Sequence, residues 1–440
     1  MSVTASSPRE CLERIFQRAI AAIQPGDAVR AALEVESTRL RTPVHLIALG
    51  KAARVMLRAA AAWCDEHAIT IAGGVCISHE RDVVALPAGI INTHGDHPQA
   101  GDASSAAAEV LRACVTQRVQ PGATVVVLLS GGTSALIGAP AGALPSNTYR
   151  ACCDLLLRSG LDIHAHNTIR RQLSAWGNGR LGAALHAAPA TAIVLAISDV
   201  PSDTLNSIGS APCIATPVDT AENEALLRAA VVLTDDERAL LRAALAVVSA
   251  ASVHGVRSIP HHIIGSNRLA REAVVVAAGR TMRTVISDEL LVDDALHCGD
   301  MIARQLIHAR ATLTAPALFC WGGEPVVSLP ANAPPGGRMQ ALALAAARTL
   351  HEAGAQASQG ITILAAGSDG RDGMTSAAGA VVDGATWSAM QRVGIDAAAM
   401  LAAHDSHTAL RNVDCLIPQF ASGTNVNDLV IALVEPAARR

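Results

Sequence analysis

The sequence predicts an α/β protein of two domains with mainly parallel sheets. Two observations favour this fold class: strand-length apolar runs alternate with helical segments, and several of these runs end in a glycine-containing turn that opens a helix. The composition agrees, because 50% of the residues are apolar but only 2% are aromatic. Ala, Val, Leu and Ile must therefore form the core, as in helices packed on a buried parallel sheet. At 440 residues, the chain exceeds what one core usually supports.

The order of elements divides the chain into two α/β halves. Residues 8–37 open it with apolar side chains at helical spacing. The predicted strands are 45–49, 71–77, 89–93, 124–129 and 192–197 in the first half, then 284–286, 317–321 and 361–365 in the second. The helices between them are 52–64, 102–116, 146–158 and 168–186, then 268–278, 294–310 and one that begins near 336. We place the domain connection in the helical stretch 217–260, which predicts a Rossmann-like domain over residues 1–245 and a second α/β domain over 246–440.

Charge and cysteine usage narrow the classes of partner. The formal net charge of −4 gives no electrostatic reason to expect nucleic acid or an anionic membrane as a partner. The N-terminus lacks a signal-peptide pattern, and the apolar runs are too short to span a membrane. Ten scattered cysteines without a CxxC pair predict free thiols in a reducing cytoplasm. The oligomeric state is open, with a homodimer as one outcome.

A solitary lysine follows the first predicted strand. Lys51 is the only lysine among 34 basic residues, so the chain otherwise uses arginine for positive charge. A compact ammonium acts as a point charge beside phosphate, which the planar guanidinium does not reproduce. This pattern predicts that Lys51 contacts an anion; the alternative is that one lysine remains by chance.

A glycine-rich segment, Ser130 to Ser134, follows the strand 124–129 and opens a helix. Gly131 and Gly132 let backbone N–H groups approach an anion, and the helix N-terminus adds partial positive charge. Thr133 and Ser134 supply further donors. The segment matches neither the Walker A nor the GxGxxG motif. It indicates a phosphate-binding loop, with a tight turn that binds no ligand as the alternative.

Carboxylates and one arginine complete the candidate set. Asp199 and Asp203 follow another strand, where they are suitable Mg²⁺ ligands or, alternatively, helix caps. The loop 367–373 contains Asp369 among three glycines and is interpreted as a polar active-site loop rather than a plain turn. Arg338, after two glycines at a helix start, offers a guanidinium suited to carboxylate or phosphate; alone it would more often be a surface residue.

Taken in order, the motifs resemble those of class II glycerate kinases, the family with a MOFRL-type C-terminal domain. They cover nearly the whole chain, and the ordered set is far more specific than any one motif. The matching segments are Ala48-Leu-Gly-Lys-Ala-Ala53, Gly95-Asp-His-Pro98, Leu129-Ser-Gly-Gly-Thr-Ser-Ala-Leu136, Ser159-Gly-Leu-Asp-Ile-His164, Asn167-Thr-Ile-Arg170, Ile197-Ser-Asp-Val-Pro201, Ile264-Gly-Ser-Asn-Arg-Leu269, Gly322-Gly-Glu324, Gly336-Gly-Arg338, Ala366-Gly-Ser-Asp-Gly370, Asp372-Gly373, Ala378-Gly379 and Gly423-Thr-Asn-Val-Asn-Asp-Leu429.

The resemblance implies an ATP- and Mg²⁺-dependent kinase with its active site in a cleft between two α/β domains, of which the second is MOFRL-type. It implies glycerate as the substrate, 2-phosphoglycerate as the product, and Lys51 and Arg338 at the catalytic centre. The matching segments add expected nucleotide contacts from Asn267 and Asp369, and expected contacts to a small anionic hydroxy acid from His97, Arg170, Ser266 and Arg268.

Four departures from the family pattern bear on the substrate: a basic residue is missing at Gly177, and Ser202, Met339 and Ala341 replace Gly, Asn and Glu. In addition, Arg171 and Gln172 stand where the family has Lys and His. Lost polar groups near a substrate alter specificity more than they alter phosphoryl transfer. Three alternatives follow: a kinase of the same fold for another sugar acid, a hydroxypyruvate reductase, and a sensor that binds a small acid without turnover. The absence of GxGxxG disfavours the reductase.

Overall fold

The computed structural model describes residues 7–82, 85–200, 203–249, 258–330 and 332–437. The described residues form two compact units. The central unit spans residues 25–264, and the flanking unit joins the described residues up to 24 to those from 265 onward. The division therefore falls at 264/265, where the sequence-based boundary was 245/246. Helix α1 (Pro8–Ala22), expected in the N-terminal domain, belongs to the flanking unit, where Phe16 packs edge-on against Phe420.

The central unit is built on a six-stranded sheet in the order β3-β2-β1-β4-β5-β6. The pairs from β3 across to β5 are all parallel, which confirms the prediction for this half of the chain. Parallel pairing brings the carboxyl ends of β1, β4 and β5 to one edge of the sheet. The strands are β1 (Val44–Leu49), β2 (Ile71–Ser78), β3 (Ile90–His94), β4 (Thr124–Leu129), β5 (Thr191–Ile197) and β6 (His261–Gly265).

Helices cover this sheet and also form a core of their own. They are α2 (Pro25–Glu36), α3 (Ala53–Glu66), α4 (Asp102–Ala113), α5 (Thr133–Leu136), α6 (Ser146–Leu157), α7 (Ile163–Leu173), α8 (Arg180–Ala187), α9 (Thr220–Ala229) and α10 (Asp235–Ser249). The second core lies among α6, α7, α9 and α10 and buries Tyr149, Ile169 and Leu241. The stretch predicted to connect the domains therefore contributes α9 and α10 to the core of the central unit. Their amphipathic faces are satisfied locally.

The flanking unit contains a mixed sheet in the order β11-β10-β9-β12-β8-β7. Its strands are β7 (Arg283–Leu291), β8 (Ala317–Gly323), β9 (Ile361–Gly367), β10 (Ala377–Asp383), β11 (Leu416–Pro418) and β12 (Asp428–Val434). Strands β7, β8, β9 and β11 run in one direction, while β10 and β12 run in the other. The shared direction agrees with the expected fold class, but β12 enters antiparallel between β8 and β9. None of the helices in the described ranges is long and apolar enough to cross a membrane.

Helix α13 (Arg338–Glu352) is the central helix of the flanking unit. Nearly all of its side chains are buried, against α12 (Ala295–Thr312) and the sheet. The remaining helices are α11 (Asn267–Ala278), α14 (Ala355–Ser358), α15 (Thr386–Arg392), α16 (Ala397–Ala402) and α17 (Ser406–Arg411). The many alanines of α13 allow close approach to its neighbours without aromatic filling, which is how this composition forms a dense core.

Candidate active site

Lys51 and the segment Ser130–Ser134 are direct neighbours at the carboxyl ends of β1 and β4. The Lys51 backbone N–H donates to the Gly131 carbonyl at 2.9 Å, and the Ser130 N–H donates to Leu49 at 2.9 Å. The Ser130 hydroxyl accepts from the Ala52 N–H at 3.1 Å. These bonds fix the start of α3 against the loop before α5, so two sequence-predicted features meet as expected for adjacent parallel strands.

Two glycines allow this close approach. Gly50 has a φ of +116°, and a Cβ there would overlap the Ser130 hydroxyl. Gly132 has a φ of +84°, and a Cβ there would lie 3.2 Å from His97 Cδ2 and 3.3 Å from Lys51 Cε. Both backbones favour glycine. The exposed Lys51 side chain and the His97 ring therefore converge over Gly132.

Asp199 lies against the same loop. A Cβ on Gly131 would overlap the Asp199 carboxylate, so this carboxylate sits over the loop backbone at the end of β5. Mg²⁺ is usually bound by one or two carboxylates together with phosphate oxygens. The Asp199 carboxylate beside the glycine-rich segment fits that requirement. Asp203 follows in a left-handed backbone conformation (φ 51°), with its N–H donating to Val200 at 3.0 Å. Within the described ranges, no group of three or more His, Cys, Asp or Glu side chains forms a metal-binding cluster.

The hydroxyls of the loop have different partners. Thr133 Oγ1 donates to the Ser130 carbonyl at 2.8 Å, so this buried hydroxyl shapes the turn. Ser134 Oγ lies 2.8 Å from Ser210 Oγ and accepts from Arg170 Nη2 at 3.2 Å. Arg170 also donates to Asn167 Oδ1 at 2.7 Å. Arg170, a predicted substrate contact, is thus held beside the loop, and burial lowers its pKa.

His166 is a buried titratable group on α7, one turn from Arg170. Burial first, and then the positive charge of Arg170, lower the pKa of His166 from 6.5 to about 4. The unfolded chain therefore takes up a proton near pH 6.5 that the folded chain refuses until about pH 4. Stability attributable to this residue is complete above pH 6.5 and falls as the pH drops through that window.

We expect His166→Gln to flatten the loss of stability between pH 6.5 and about 4. The parent should lose about 3 kcal/mol more unfolding free energy across this window than the variant does. Urea unfolding at half-unit pH steps measures the difference. His164→Gln, on the same helix but exposed, is the matched control and should follow the parent curve. Parallel curves for the parent and His166→Gln would show that His166 is protonated normally.

In the flanking unit, Arg338 occupies the first turn of α13 and is paired with two carboxylates. Its Nε and Nη2 donate to the two oxygens of Asp428 at 2.5 and 3.3 Å, and its Nη1 donates to Glu324 at 2.9 Å. Asn427 in turn donates to the second Glu324 oxygen at 2.8 Å. Burial alone would lower the pKa of Arg338, but the charges of Asp428 and Glu324 outweigh it and raise the pKa.

Two buried aspartates organise the start of α13. Asp372 accepts from the backbone N–H groups of Met339 and Gln340 at 3.1 and 2.8 Å, as a helix cap does. Burial raises the pKa of Asp372, and it raises that of Asp428 to about 7 against the opposing effect of Arg338. Both aspartates belong to segments that carry the family resemblance, but no role was predicted for them from the sequence. The signal was the start of α13 after Gly337, because the first N–H groups of a helix need an acceptor and Gly337 has no side chain to provide one.

The other residues predicted at the site have mainly structural partners in the flanking unit. Ser266 caps α11, with its hydroxyl accepting from Leu269 at 3.3 Å. The Asn267 amide donates to the carbonyls of Val426 and Asp428, each at 2.9 Å. Asp369 Oδ1 accepts from the Arg371 N–H at 2.9 Å, and Arg268 pairs with Glu272 at 2.7 Å on the exposed face of α11. Of the four departures from the family pattern, Ser202 lies outside the described residues, while buried Met339 and Ala341 belong to α13.

Glycine backbone beside a lysine, at the carboxyl ends of parallel strands, is an arrangement that can bind phosphate. The family model described as a domain of unknown function (DUF4147) matches residues 11–245, and the MOFRL family model matches residues 317–428. The chain therefore belongs to the glycerate kinase family that combines these two domains, and it is a kinase.

Relatives and a solved structure support this membership. A D-glycerate 2-kinase from Thermotoga maritima is 33% identical over 71% of this chain and 72% of its own length. A protein of Agrobacterium vitis, provisionally named hydroxypyruvate reductase, is 35% identical over 97% of this chain and 95% of its own. The crystal structure of a glycerate kinase from Thermotoga maritima matches with a TM-score of 0.84 at 28% identity, covering 97% of this chain and 99% of that one.

Proposed function

We propose that this kinase transfers the γ-phosphoryl group of ATP to a hydroxyl of glycerate and produces 2-phosphoglycerate. The observation that carries the proposal is the convergence of Lys51 and His97 over Gly132, with Asp199 over the adjacent Gly131. An ammonium, a glycine backbone and a carboxylate at the ends of parallel strands are the groups that phosphoryl transfer requires. The names of the relatives supply the substrate.

Lys51 and the loop bind and orient the phosphates. The left-handed Gly132 allows the Lys51 and His97 side chains to approach its backbone, and the Lys51 ammonium neutralises charge that builds up during transfer. Bound Mg²⁺ would screen the phosphates and help to align them. We assign Mg²⁺ to Asp199, whose carboxylate lies over Gly131, with Asp203 as a second carboxylate. We assign Ser134 to phosphate binding and Arg170, behind it, to the acid substrate.

Arg338 is the second cation assigned to catalysis. Its five N–H groups are only partly used by Asp428 and Glu324, so donors remain for an anion. The carboxylates hold the guanidinium in one orientation, which removes the entropy cost of fixing a long side chain during the reaction. Asn267 and Asp369 remain predicted nucleotide contacts, and Ser266 and Arg268 predicted substrate contacts.

We also propose a cellular compartment and an oligomeric state for the protein. All ten cysteines are free and most are buried, which supports a reducing cytoplasm as the compartment. A homodimer is proposed as the alternative to a monomer, and sedimentation equilibrium distinguishes them.

The expected product can be identified directly. Incubation with ATP, Mg²⁺ and D-glycerate should release ADP and give a ³¹P NMR signal coupled to the C2 proton. A panel of three- and four-carbon hydroxy acids, including tetronates, should show the highest kcat/KM with glycerate. A higher value for another acid would keep the kinase and replace its substrate. No ADP release with any acid would contradict the proposal.

The reductase is the second candidate, because one relative carries that name. It predicts oxidation of NADH or NADPH when hydroxypyruvate is added. We expect no change in absorbance at 340 nm under conditions in which the kinase assay is active. Turnover of the reduced cofactor would favour the reductase.

A further inference from the structure

A small pocket lies beside Lys51 in the central unit. It has a volume of about 340 Å³ and is lined by His79, Arg81, Gly95, Asp96, His97, Pro98 and Gln99. His97 belongs to both places, because its ring borders this pocket and also approaches Gly132 together with Lys51. The pocket therefore shares His97 with the groups assigned to phosphoryl transfer. His79 and Arg81 have no role in the mechanism described above.

The segment after β2 is held so that two of its side chains face this pocket. The guanidinium of Arg54, buried at the start of α3, donates to the carbonyls of Glu80 and Asp82 at 2.9 and 2.8 Å. It also pairs with the carboxylates of the same two residues at 3.0 and 2.6 Å. With alternate residues fixed towards Arg54, the intervening side chains, His79 and Arg81, line the pocket. A buried arginine with four such contacts is a rigid support.

The opposite wall is equally fixed. Asp96 Oδ2 accepts from the Ala103 N–H at 2.9 Å at the start of α4, and the Asp96 N–H donates to Ser104 at 2.9 Å. Its other oxygen lies 3.5 Å from Arg81 Nη2. The rings of His79 and His97 are 6.4 Å apart and tilted by 57°. Imidazole and guanidinium donors thus face one another across a space that a small group can enter.

The charge balance decides which anion suits the pocket. Of the residues that line the pocket, Arg81 is a cation and Asp96 is an anion, and their charged groups lie 3.5 Å apart. Burial, followed by the charges of Lys51 and His79, lowers the pKa of His97 and keeps its ring neutral and able to donate one N–H. One guanidinium, already opposed by one carboxylate, together with neutral donors matches a monoanion better than a polyphosphate. The planar fork of Arg81 is suited to a carboxylate.

We propose that His79, Arg81 and His97 form the subsite that binds the carboxylate of the acceptor acid, with Arg54 as a positioning residue behind it. This inference rests on the proposed function for the identity of the acid. It assigns His79 and Arg81, which the sequence did not single out, to substrate recognition. His97 would then contact both the acid and the phosphate site. Its side chain would separate the bound acid from Lys51.

The test compares Arg81→Ala with the parent in steady-state kinetics. Arg81 is exposed, so its loss is compatible with folding. We expect the KM for the acid to rise at least about tenfold, while the KM for ATP stays within about twofold. Arg81→Lys keeps the charge but loses the planar guanidinium, so its KM for the acid should lie between those of the parent and Arg81→Ala. Arg242→Ala, which removes another exposed ion pair of the same unit, is the matched control and should behave as the parent.

Each other outcome overturns the assignment or separates it from the proposed function. A raised KM for ATP with an unchanged KM for the acid would place the nucleotide in this pocket. Unchanged values for both would show that Arg81 binds neither. If the parent phosphorylates no acid, the proposed function fails, and calorimetric titration with D-glycerate decides the subsite. Weaker binding to Arg81→Ala than to the parent supports it, and equal or absent binding contradicts it.

Discussion

Replacing Lys51 by alanine is expected to lower kcat/KM for phosphoryl transfer by about 10³-fold, the effect of losing one preorganised charge at the developing anion. Lys51 is the only lysine of the sequence, so no other lysine side chain can substitute for it. Its stem lies against Gly132, where a Cβ would already be 3.3 Å from it. The crowded approach also predicts that Lys51→Arg is strongly impaired, because the planar fork is longer and directs its donors differently.

The measurement is ADP release under saturating ATP, with circular dichroism as a check on folding. Arg58→Ala removes a positive charge from the exposed surface of α3, two turns further along the helix, and is the control for altered net charge. It should retain parent activity. A Lys51→Ala enzyme that turned over at the parent rate would remove Lys51 from the mechanism.

The substitution Arg338→Met is expected to lower both catalytic activity and the free energy of unfolding, for separate reasons. Loss of a cation that we assign to catalysis should lower kcat by about 10²–10³-fold. The variant also leaves Asp428, only 3% exposed, without its partner, and breaking a buried pair costs about 3–5 kcal/mol. The pKa of Asp428 is already raised by burial to about 7 with Arg338 present. Without the guanidinium, we expect the carboxyl to be protonated at neutral pH.

A double variant separates the two effects. Arg338→Met combined with Asp428→Asn removes both charges, so most of the lost unfolding free energy should return while activity stays low. Arg348→Ala is the matched control, because Arg348 lies on the same helix, is exposed to the same 34% and pairs with Asp300. It should keep kcat. Recovery of activity in the double variant would show that Arg338 acts through stability alone.

The contacts of Lys51 with the glycine-rich segment could be predicted, because each part directly follows a strand that the sequence shows. Strands β1 and β4 were recognised within about a residue of their observed ends, and the turns after them contain Lys51 and Gly131 to Gly132. Parallel pairing then places those turns side by side. Family resemblance supplied the remaining candidates, but not which of them touch.

The second half depends on contacts that no local pattern reveals. Strand β12 reads as an apolar run whatever its direction, yet its antiparallel course between β8 and β9 brings Asp428 to Arg338, 90 residues away in sequence. The same course takes the Asn267 amide to the backbone at Val426, so this predicted nucleotide contact has a structural partner. His79 and Arg81 escaped notice because alternation around Arg54 is visible only once the segment is folded.

The pairing of α1 with the far end of the chain has a consequence for biosynthesis. Phe16 leaves the ribosome long before its partner Phe420, because most of the chain lies between them. The segment that contains β1 to β6 can complete its own core during synthesis, while α1 keeps an apolar face uncovered until residues of the flanking unit as far as Phe420 have been made. Truncated nascent chains should therefore attract chaperones through α1, and a circular permutant that begins at residue 25 and ends with α1 would shorten that exposure.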